Sequence, residues 1–68
     1  MEIFAKRLKS LREEKDISMR EMARILKITP AGYQNYEYNG GQPRFEILIK
    51  IAQHFGVTTD YLLGLTDV

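Results

Sequence analysis

The side chains best suited to recognise another molecule lie together in one short polar stretch, residues 29–39. Gln34 and Asn35 are adjacent in it, and each carboxamide can both donate and accept a hydrogen bond. A bidentate contact with the edge of an adenine base requires that combination. Thr29 and Pro30, which are favoured at the N-cap and at the first position of a helix, precede the two amides. The stretch therefore predicts a short helix that presents two hydrogen-bonding side chains.

Catalytic or metal chemistry has little support in the sequence. His54 is the single histidine, and no serine, cysteine or pair of carboxylates lies at a useful spacing from it. The chain has no cysteine, and one histidine cannot hold a metal ion alone. Gly40 and Gly41 do not form a phosphate-binding loop, because no strand precedes them and no Gly-Lys-Ser/Thr sequence follows. We therefore expect a protein that is not an enzyme and that has no metal, cofactor or small-molecule ligand.

The length and composition predict one small helical domain over residues 1–68. The chain is rich in Leu, Ile, Lys, Arg and Glu, and its two prolines fall at segment edges, which favours an all-α fold. A core of this size is marginally stable, and dimerisation would help it. The sequence has no apolar run of 18 residues and no basic and apolar leader, so we expect a cytoplasmic protein without a membrane partner.

The charge of the chain is a weak indicator of its partner. The net charge is +1, and the pI of about 8.0 is lower than that of a strongly basic nucleic-acid-binding domain. Residues 1–27 carry eight of the ten basic residues but only five of the nine acidic ones. Solvated helix faces explain most of these charges, so charge alone does not indicate DNA.

Two further helices are predicted to precede the polar stretch. Residues 2–15 have apolar residues at helical spacing, at Ile3, Phe4, Leu8 and Leu11. Ser18 and Glu21 then form the S-x-x-E pattern of a capping box, which opens a second helix that ends near Lys27. Its inward residues are expected to be Met22, Ala23 and Leu26, with a contribution from Ile25. A turn of about three residues leads to the helix after Thr29, so residues 18–38 have the pattern of a helix-turn-helix.

The remaining residues predict a loop and two more helices. Asn39 or Gly40 can supply the left-handed residue that closes the third helix, and a Gly-Gly-Gln-Pro loop follows. The apolar residues expected inward in the fourth helix, residues 44–55, are Phe45, Ile47, Leu48, Ile49, Ile51, Ala52 and Phe55. The fifth helix, about residues 59–64, is short, and Thr58 or Thr59 caps it. More apolar residues lie there than a short helix needs, so Tyr61, Leu62 and Leu65 are candidates for a dimer contact.

Several of these features together indicate a nucleic-acid partner. Ser18 and Thr29 would leave the N-termini of helices 2 and 3 facing outward, where free amides suit phosphate groups. Arg20 and Arg44 begin helices 2 and 4 and can flank the same surface. The amides of the third helix would then reach base edges.

The chain from Leu8 to Gly64 resembles the phage-repressor and Cro-like helix-turn-helix family, also called the XRE family. The residues that carry the resemblance are L-R-E-E-K at 11–15, S-x-x-E-M-A at 18–23, I-T at 28–29, Y-E at 36–37, P-R-F-E-I-L-I-K-I-A at 43–52 and G-V-T-T-D-Y-L-L-G at 56–64. The resemblance implies a compact five-helix bundle of the lambda-repressor type. It further implies that residues 30–38 form a recognition helix for the major groove and that the protein regulates transcription as a dimer.

The resemblance also implies roles for individual residues. Arg12 and Glu37 match a buried ion pair between the first helix and the recognition helix. Tyr33 and Tyr36 match positions that face the core. The DNA-binding set implied by the resemblance and by the residues comprises Ser18, Met19, Arg20, Thr29, Pro30, Ala31, Gln34, Asn35, Tyr38, Asn39, Gln42 and Arg44.

Some residues depart from the family pattern. Met19 stands where the family usually has Gln, which removes one polar contact. Lys27 stands where the turn often has Gly, so a left-handed conformation there would carry strain of about 1 kcal/mol. Pro30 and Ala31 replace residues that are frequently polar, although Ala31 can contact a thymine methyl group. These departures leave the operator sequence open.

We therefore expect a sequence-specific, double-stranded-DNA-binding transcriptional regulator, a repressor located at the nucleoid in the cytoplasm. It would bind as a homodimer to a palindromic site whose half-sites lie about one helical turn apart. The alternative is a protein-interaction module of the same fold, antitoxin-like or regulator-binding, with weak DNA binding. Salt-dependent binding to duplex DNA separates these two hypotheses.

Overall fold

The fold consists of five helices joined by short connections. A computed structural model describes residues 2–68, so Met1, the first residue of the predicted domain, lies outside the described range. The helices are α1 (Glu2–Glu14), α2 (Met19–Leu26), α3 (Pro30–Tyr38), α4 (Phe45–Phe55) and α5 (Thr59–Leu63). Residues 2–68 contain no strand, and the predicted all-α five-helix fold is confirmed. No helix in this range is long and apolar enough to cross a membrane.

One hydrophobic core joins all five helices. Its fully buried side chains come from every helix and include Phe4, Leu8, Met22, Leu26, Tyr33, Ile51 and Leu62. Tyr33 and Tyr36 pack edge to face, with ring centroids 6.2 Å apart, and Tyr36 also meets the ring of Phe4. The prediction that both tyrosines face the core is therefore confirmed.

Two predicted core residues of α4 are exposed instead. Phe45 is 82% exposed and Ile49 is 47% exposed, whereas Ile47 is buried as expected. Ile47, Leu48 and Ile51 lie at helical spacing on one face, and Ile49 points away from that face. Phe45 is the first residue of α4, where the other helices do not cover it.

The predicted dimer contact at the C-terminal end is wrong for one residue. Leu62 is fully buried in the core of the monomer and cannot meet a second chain. Tyr61 is half-buried and Leu65 is 73% exposed. Arg7 of α1 holds this end in place: it donates to the carbonyl oxygens of Tyr61 and Thr66, and its guanidinium carbon lies 4.2 Å from the centre of the Tyr61 ring.

The helix ends follow the predicted capping residues, with one exception. The hydroxyl oxygens of Ser18, Thr29 and Thr58 each accept a hydrogen bond from the amide three residues later. The carboxylate of Glu21, however, pairs with Arg24 instead of reaching back to Ser18. Only half of the predicted capping box is present, because Arg24 offers Glu21 a charged donor one turn along the same helix.

Lys27 closes α2 in the left-handed conformation, with φ 59° and ψ 44°. This conformation costs a residue with a Cβ atom about 1–2 kcal/mol, which exceeds the entropic cost of glycine, about 0.5–1 kcal/mol. Lys27→Gly is therefore expected to raise the free energy of unfolding by about 0.5–1 kcal/mol. Chemical denaturation measures the change. Lys27→Ala removes the same charge but keeps the Cβ atom. A gain of equal size in both variants would show that the left-handed backbone at Lys27 is not strained.

Candidate nucleic-acid interface

The position of α3 is set by a polar cluster beneath it, formed by Arg12, Glu37, Tyr33 and the carbonyl of Ile17. The Arg12 Nε atom lies 2.7 Å from Glu37 Oε2, and its Nη2 atom lies 3.1 Å from Oε1. This bidentate geometry is the strongest form of an arginine–carboxylate pair. The third nitrogen, Nη1, donates to the Ile17 carbonyl oxygen at 2.8 Å. The cluster therefore ties α1, the α1–α2 connection and α3 together.

The cluster is buried and fully hydrogen-bonded. The Glu37 side chain has no exposed surface, and that of Arg12 is 11% exposed. The Tyr33 hydroxyl also donates to Glu37 Oε2. Among residues 2–68, no buried side-chain nitrogen or oxygen lacks a hydrogen-bond partner. A buried charge pair is tolerated only when its polar groups are satisfied in this way.

The cluster also fixes the protonation of two of its members. The hydrogen bonds to Glu37 raise the pKa of the Arg12 guanidinium, although burial alone would lower it. Burial raises the pKa of the Tyr33 hydroxyl, and the hydrogen bond to Glu37 raises it further. Arg12 therefore stays charged and Tyr33 stays protonated at neutral pH.

Tyr33 makes the stability of the fold sensitive to alkaline pH. The unfolded chain releases the Tyr33 proton near the ordinary pKa of 10.0, whereas the folded chain keeps it to higher pH. The contribution of Tyr33 is thus present in full below about pH 10 and is lost as the pH rises through the folded-state pKa. Tyr33→Phe is expected to show a shallower fall of the melting midpoint above pH 10 than the unmodified protein. Tyr38→Phe, which alters an exposed ring, should keep the original slope, and identical slopes in both variants would contradict this account.

The outer face of α3 presents the predicted recognition residues. Pro30, Ala31, Gln34, Asn35 and Tyr38 are all exposed along it. The side chain of Gln34 has no hydrogen-bond partner within residues 2–68, so its carboxamide keeps both a donor and an acceptor. The structure therefore brings these five side chains together on one surface, opposite the buried cluster.

Asn35 differs from Gln34 because its side-chain oxygen is already engaged. The Asn39 Nδ2 atom donates to Asn35 Oδ1 at 2.7 Å. One lone pair of the Asn35 side-chain oxygen is therefore occupied, whereas Gln34 keeps its whole hydrogen-bonding capacity for the predicted bidentate adenine contact. Gly41 stabilises this arrangement: its amide donates to the Asn35 carbonyl oxygen at 2.9 Å, and a Cβ atom at Gly41 would lie 3.2 Å from that oxygen.

The N-termini of α2 and α3 differ in the number of free amides. The Ser18 hydroxyl occupies the amide of Glu21, which leaves the amides of Met19 and Arg20 without a partner in residues 2–68. In α3 the Thr29 hydroxyl occupies the amide of Gly32, and Pro30 has no N–H, so one free amide remains, at Ala31. The N-terminus of α2 is therefore the better site for a phosphate group.

The remaining predicted site residues lie around this surface. Arg20 is exposed, and Arg44 is the N-cap residue of α4 with no side-chain capping bond, so both guanidinium groups are free. Gln42 is exposed in the loop between α3 and α4, and Lys9 of α1 lies 5.3 Å from the centre of the Tyr38 ring. Met19 packs partly against the core, which makes it a support of the α2 N-terminus more than a contact residue.

Three contributors to this geometry were not predicted from the sequence. The Ile17 carbonyl, the Asn35–Asn39 bond and the contact of Gly41 with Asn35 all depend on the path of a loop. Asn at positions four apart on a helix is the one signal that was readable, because such residues are neighbours on its surface.

The profile of the helix-turn-helix family matches residues 8–62, which span α2, α3 and the helices that support them. The chain belongs to this family. It is similar to two HTH-type transcriptional regulators of Bacillus subtilis. The SPbeta prophage-derived YonR is 41% identical over 61 residues, covering 90% of this chain and 56% of YonR. ImmR is 36% identical over 65 residues, covering 96% of this chain and 51% of ImmR.

The helical arrangement is also shared with a solved structure. The crystal structure of the clp gene regulator ClgR from Corynebacterium glutamicum matches with a TM-score of 0.79, covering 91% of this chain and 66% of the ClgR chain. At 22% sequence identity this likeness shows the fold alone. The chain spans about half the length of YonR and ImmR.

Proposed function

We propose that this helix-turn-helix protein is a sequence-specific regulator of transcription that binds double-stranded DNA and acts as a repressor at the nucleoid. The observation that carries the proposal is the exposed face of α3, which presents Gln34 and Asn35 while a buried ion pair fixes the helix from behind. The names of YonR and ImmR, both HTH-type transcriptional regulators, support the proposal.

In this proposal α3 lies in the major groove and its exposed residues contact base edges. Gln34, with donor and acceptor both free, pairs with the N6 and N7 groups of an adenine. Asn35, whose oxygen already accepts a bond from Asn39, is best placed to donate to an acceptor such as N7 or O6 of a guanine or O4 of a thymine. Ala31 adds an apolar contact with a thymine methyl group.

Phosphate contacts supply most of the affinity. The free amides at the start of α2 and the guanidinium groups of Arg20 and Arg44 face the two phosphate backbones that border the groove. Thr29, Tyr38, Asn39 and Gln42 complete the contacts beside α3. These groups carry little sequence information but set the position of the helix.

The regulator is proposed to act as a homodimer on a palindromic site with half-sites about one helical turn apart. The apolar side chains that remain exposed near the C-terminal end, Ile3, Leu65 and Val68, are available for the contact between two copies. Leu62 supports this surface from the core and does not itself take part.

Salt-dependent binding to duplex DNA tests the proposal. Fluorescence anisotropy with a labelled duplex is measured over a range of salt concentrations. The logarithm of the association constant is expected to fall linearly with the logarithm of the salt concentration. Arg20→Ala and Arg44→Ala should each reduce the slope by about one, because each removes one phosphate contact. Lys50→Ala, on the far part of α4, should leave the slope unchanged. Absence of duplex binding at low salt would contradict the proposal and favour the protein-interaction module of the same fold.

A further inference from the structure

A second groove lies between the C-terminal parts of α2 and α4, and none of its residues belongs to the proposed DNA surface. Its volume is about 410 Å³, and its lining residues are Ile25, Leu26, Lys27, Lys50, Gln53 and His54. We call it the α2–α4 groove. Its floor is apolar because half-buried Ile25 lies there, packed against the core, above the fully buried Leu26.

The rim of the α2–α4 groove carries basic groups that the chain does not neutralise. Lys27 and Lys50 are exposed, and the imidazole of His54 lies beside them. No carboxylate among residues 2–68 lies within ion-pair distance of these three groups. Glu46, one turn before Lys50 on α4, makes no ion pair with it. The groove therefore combines an apolar floor with unpaired positive charge.

Another groove, of about 460 Å³, lies between α1 and the end of α3, and acidic Glu2 lines it together with basic Lys6 and Lys9. The Glu37 carboxylate beside it is buried and paired with Arg12. Glu2 offsets part of the positive charge there, whereas no acidic residue among residues 2–68 lines the α2–α4 groove, which therefore favours a negatively charged partner.

We propose that the α2–α4 groove binds an acidic amphipathic segment of a partner protein. Apolar side chains of the segment would lie on the half-buried side chain of Ile25, and its carboxylates would pair with Lys27 and Lys50. The exposed side chain of Ile49, next to Lys50 on α4, extends the apolar contact beyond the groove. This binding site goes beyond DNA recognition, because it lets the protein hold a partner while α3 remains free for DNA.

Charge complementarity gives such a contact its specificity. Opposite charges across an interface accelerate association, and like charges oppose it. The left-handed backbone of Lys27 places its Cα–Cβ bond at the corner between α2 and α3.

A backbone-amide NMR titration of the protein with a short synthetic peptide tests the inference. The peptide alternates Glu and Asp with Leu and Phe, and a matched peptide carries Lys in place of every acidic residue. Saturable shifts are expected at Ile25, Lys27, Lys50 and Gln53 with the acidic peptide alone. Lys50→Glu is expected to weaken the binding about tenfold or more, whereas Lys6→Glu, the same charge change on α1, leaves it unchanged.

Four outcomes would overturn the inference. The first three are shifts that do not saturate, shifts that map to α3 or α1, and an affinity that Lys50→Glu does not change. Duplex DNA is titrated in parallel, and shifts of the groove residues with duplex would assign the basic rim to DNA and also overturn it. Circular dichroism of each variant shows that the helices are intact. Failure of DNA binding with retained peptide binding would contradict the proposed function alone.

Discussion

Glu37→Ala is expected to lower the free energy of unfolding by about 3–5 kcal/mol, because it removes one partner of a buried ion pair. The substitution leaves the Arg12 guanidinium buried without its anion, and it removes the acceptor of the Tyr33 hydroxyl. A domain of this size has a total stability of roughly 3–10 kcal/mol, so the loss is a large share of it. The melting midpoint should fall by roughly 15 °C or more.

Two matched variants distinguish the effect of breaking the buried pair on stability from the effect of removing a charge. Glu37→Gln keeps an acceptor for Arg12 and is expected to lose less stability than Glu37→Ala. Glu21→Ala breaks the exposed pair with Arg24 and should change the free energy of unfolding by about 1 kcal/mol or less. Equal midpoints for Glu37→Ala and Glu21→Ala in thermal denaturation would show that the Arg12–Glu37 pair contributes no more than a surface pair.

The combined change Gln34→Ala and Asn35→Ala is expected to reduce sequence discrimination strongly while leaving the fold intact. A bidentate base contact contributes about 1–3 kcal/mol of discrimination, and the single-donor contact of Asn35 adds less. The double variant should therefore lose about 10- to 10³-fold in preference for the specific site. Non-specific binding, which depends on phosphates, should change little.

Competition binding with specific and unrelated duplexes measures this loss. Both side chains are exposed, so the melting midpoint of the double variant should match that of the unmodified protein. Gln53→Ala, an exposed amide on α4, is the matched control and should retain full discrimination. The single variants rank the two contacts: Gln34→Ala is expected to cost more than Asn35→Ala, and the reverse order would contradict the proposed division of roles.

Local signals in the sequence were enough to predict the helices and the face that α3 presents. Ser18, Thr29 and Thr58 act as caps because their hydroxyls reach an amide three residues away, which depends only on neighbouring residues. Tyr33 and Tyr36 face the core as their spacing and the family pattern indicated.

Tertiary contacts account for what the sequence did not predict. Phe45, Ile49 and Leu62 were misplaced because periodicity identifies an apolar stripe but not where neighbouring helices end. The Glu21 carboxylate binds Arg24, because this charged donor competes with the backbone amide of Ser18. The hydrogen bond from Asn39 occupies part of the accepting capacity of the Asn35 side chain. This bond depends on the path of the chain after α3.

Selection from a randomised duplex-DNA library is the most direct test of whether α3 reads a specific duplex sequence. The unmodified protein and the Gln34→Ala/Asn35→Ala variant are each selected at a low and a high salt concentration. We expect the unmodified protein to enrich a palindrome with adenine at the position facing Gln34, and the double variant not to enrich it. Binding that vanishes with salt, enriches no sequence and is equal in both proteins would contradict sequence recognition by α3.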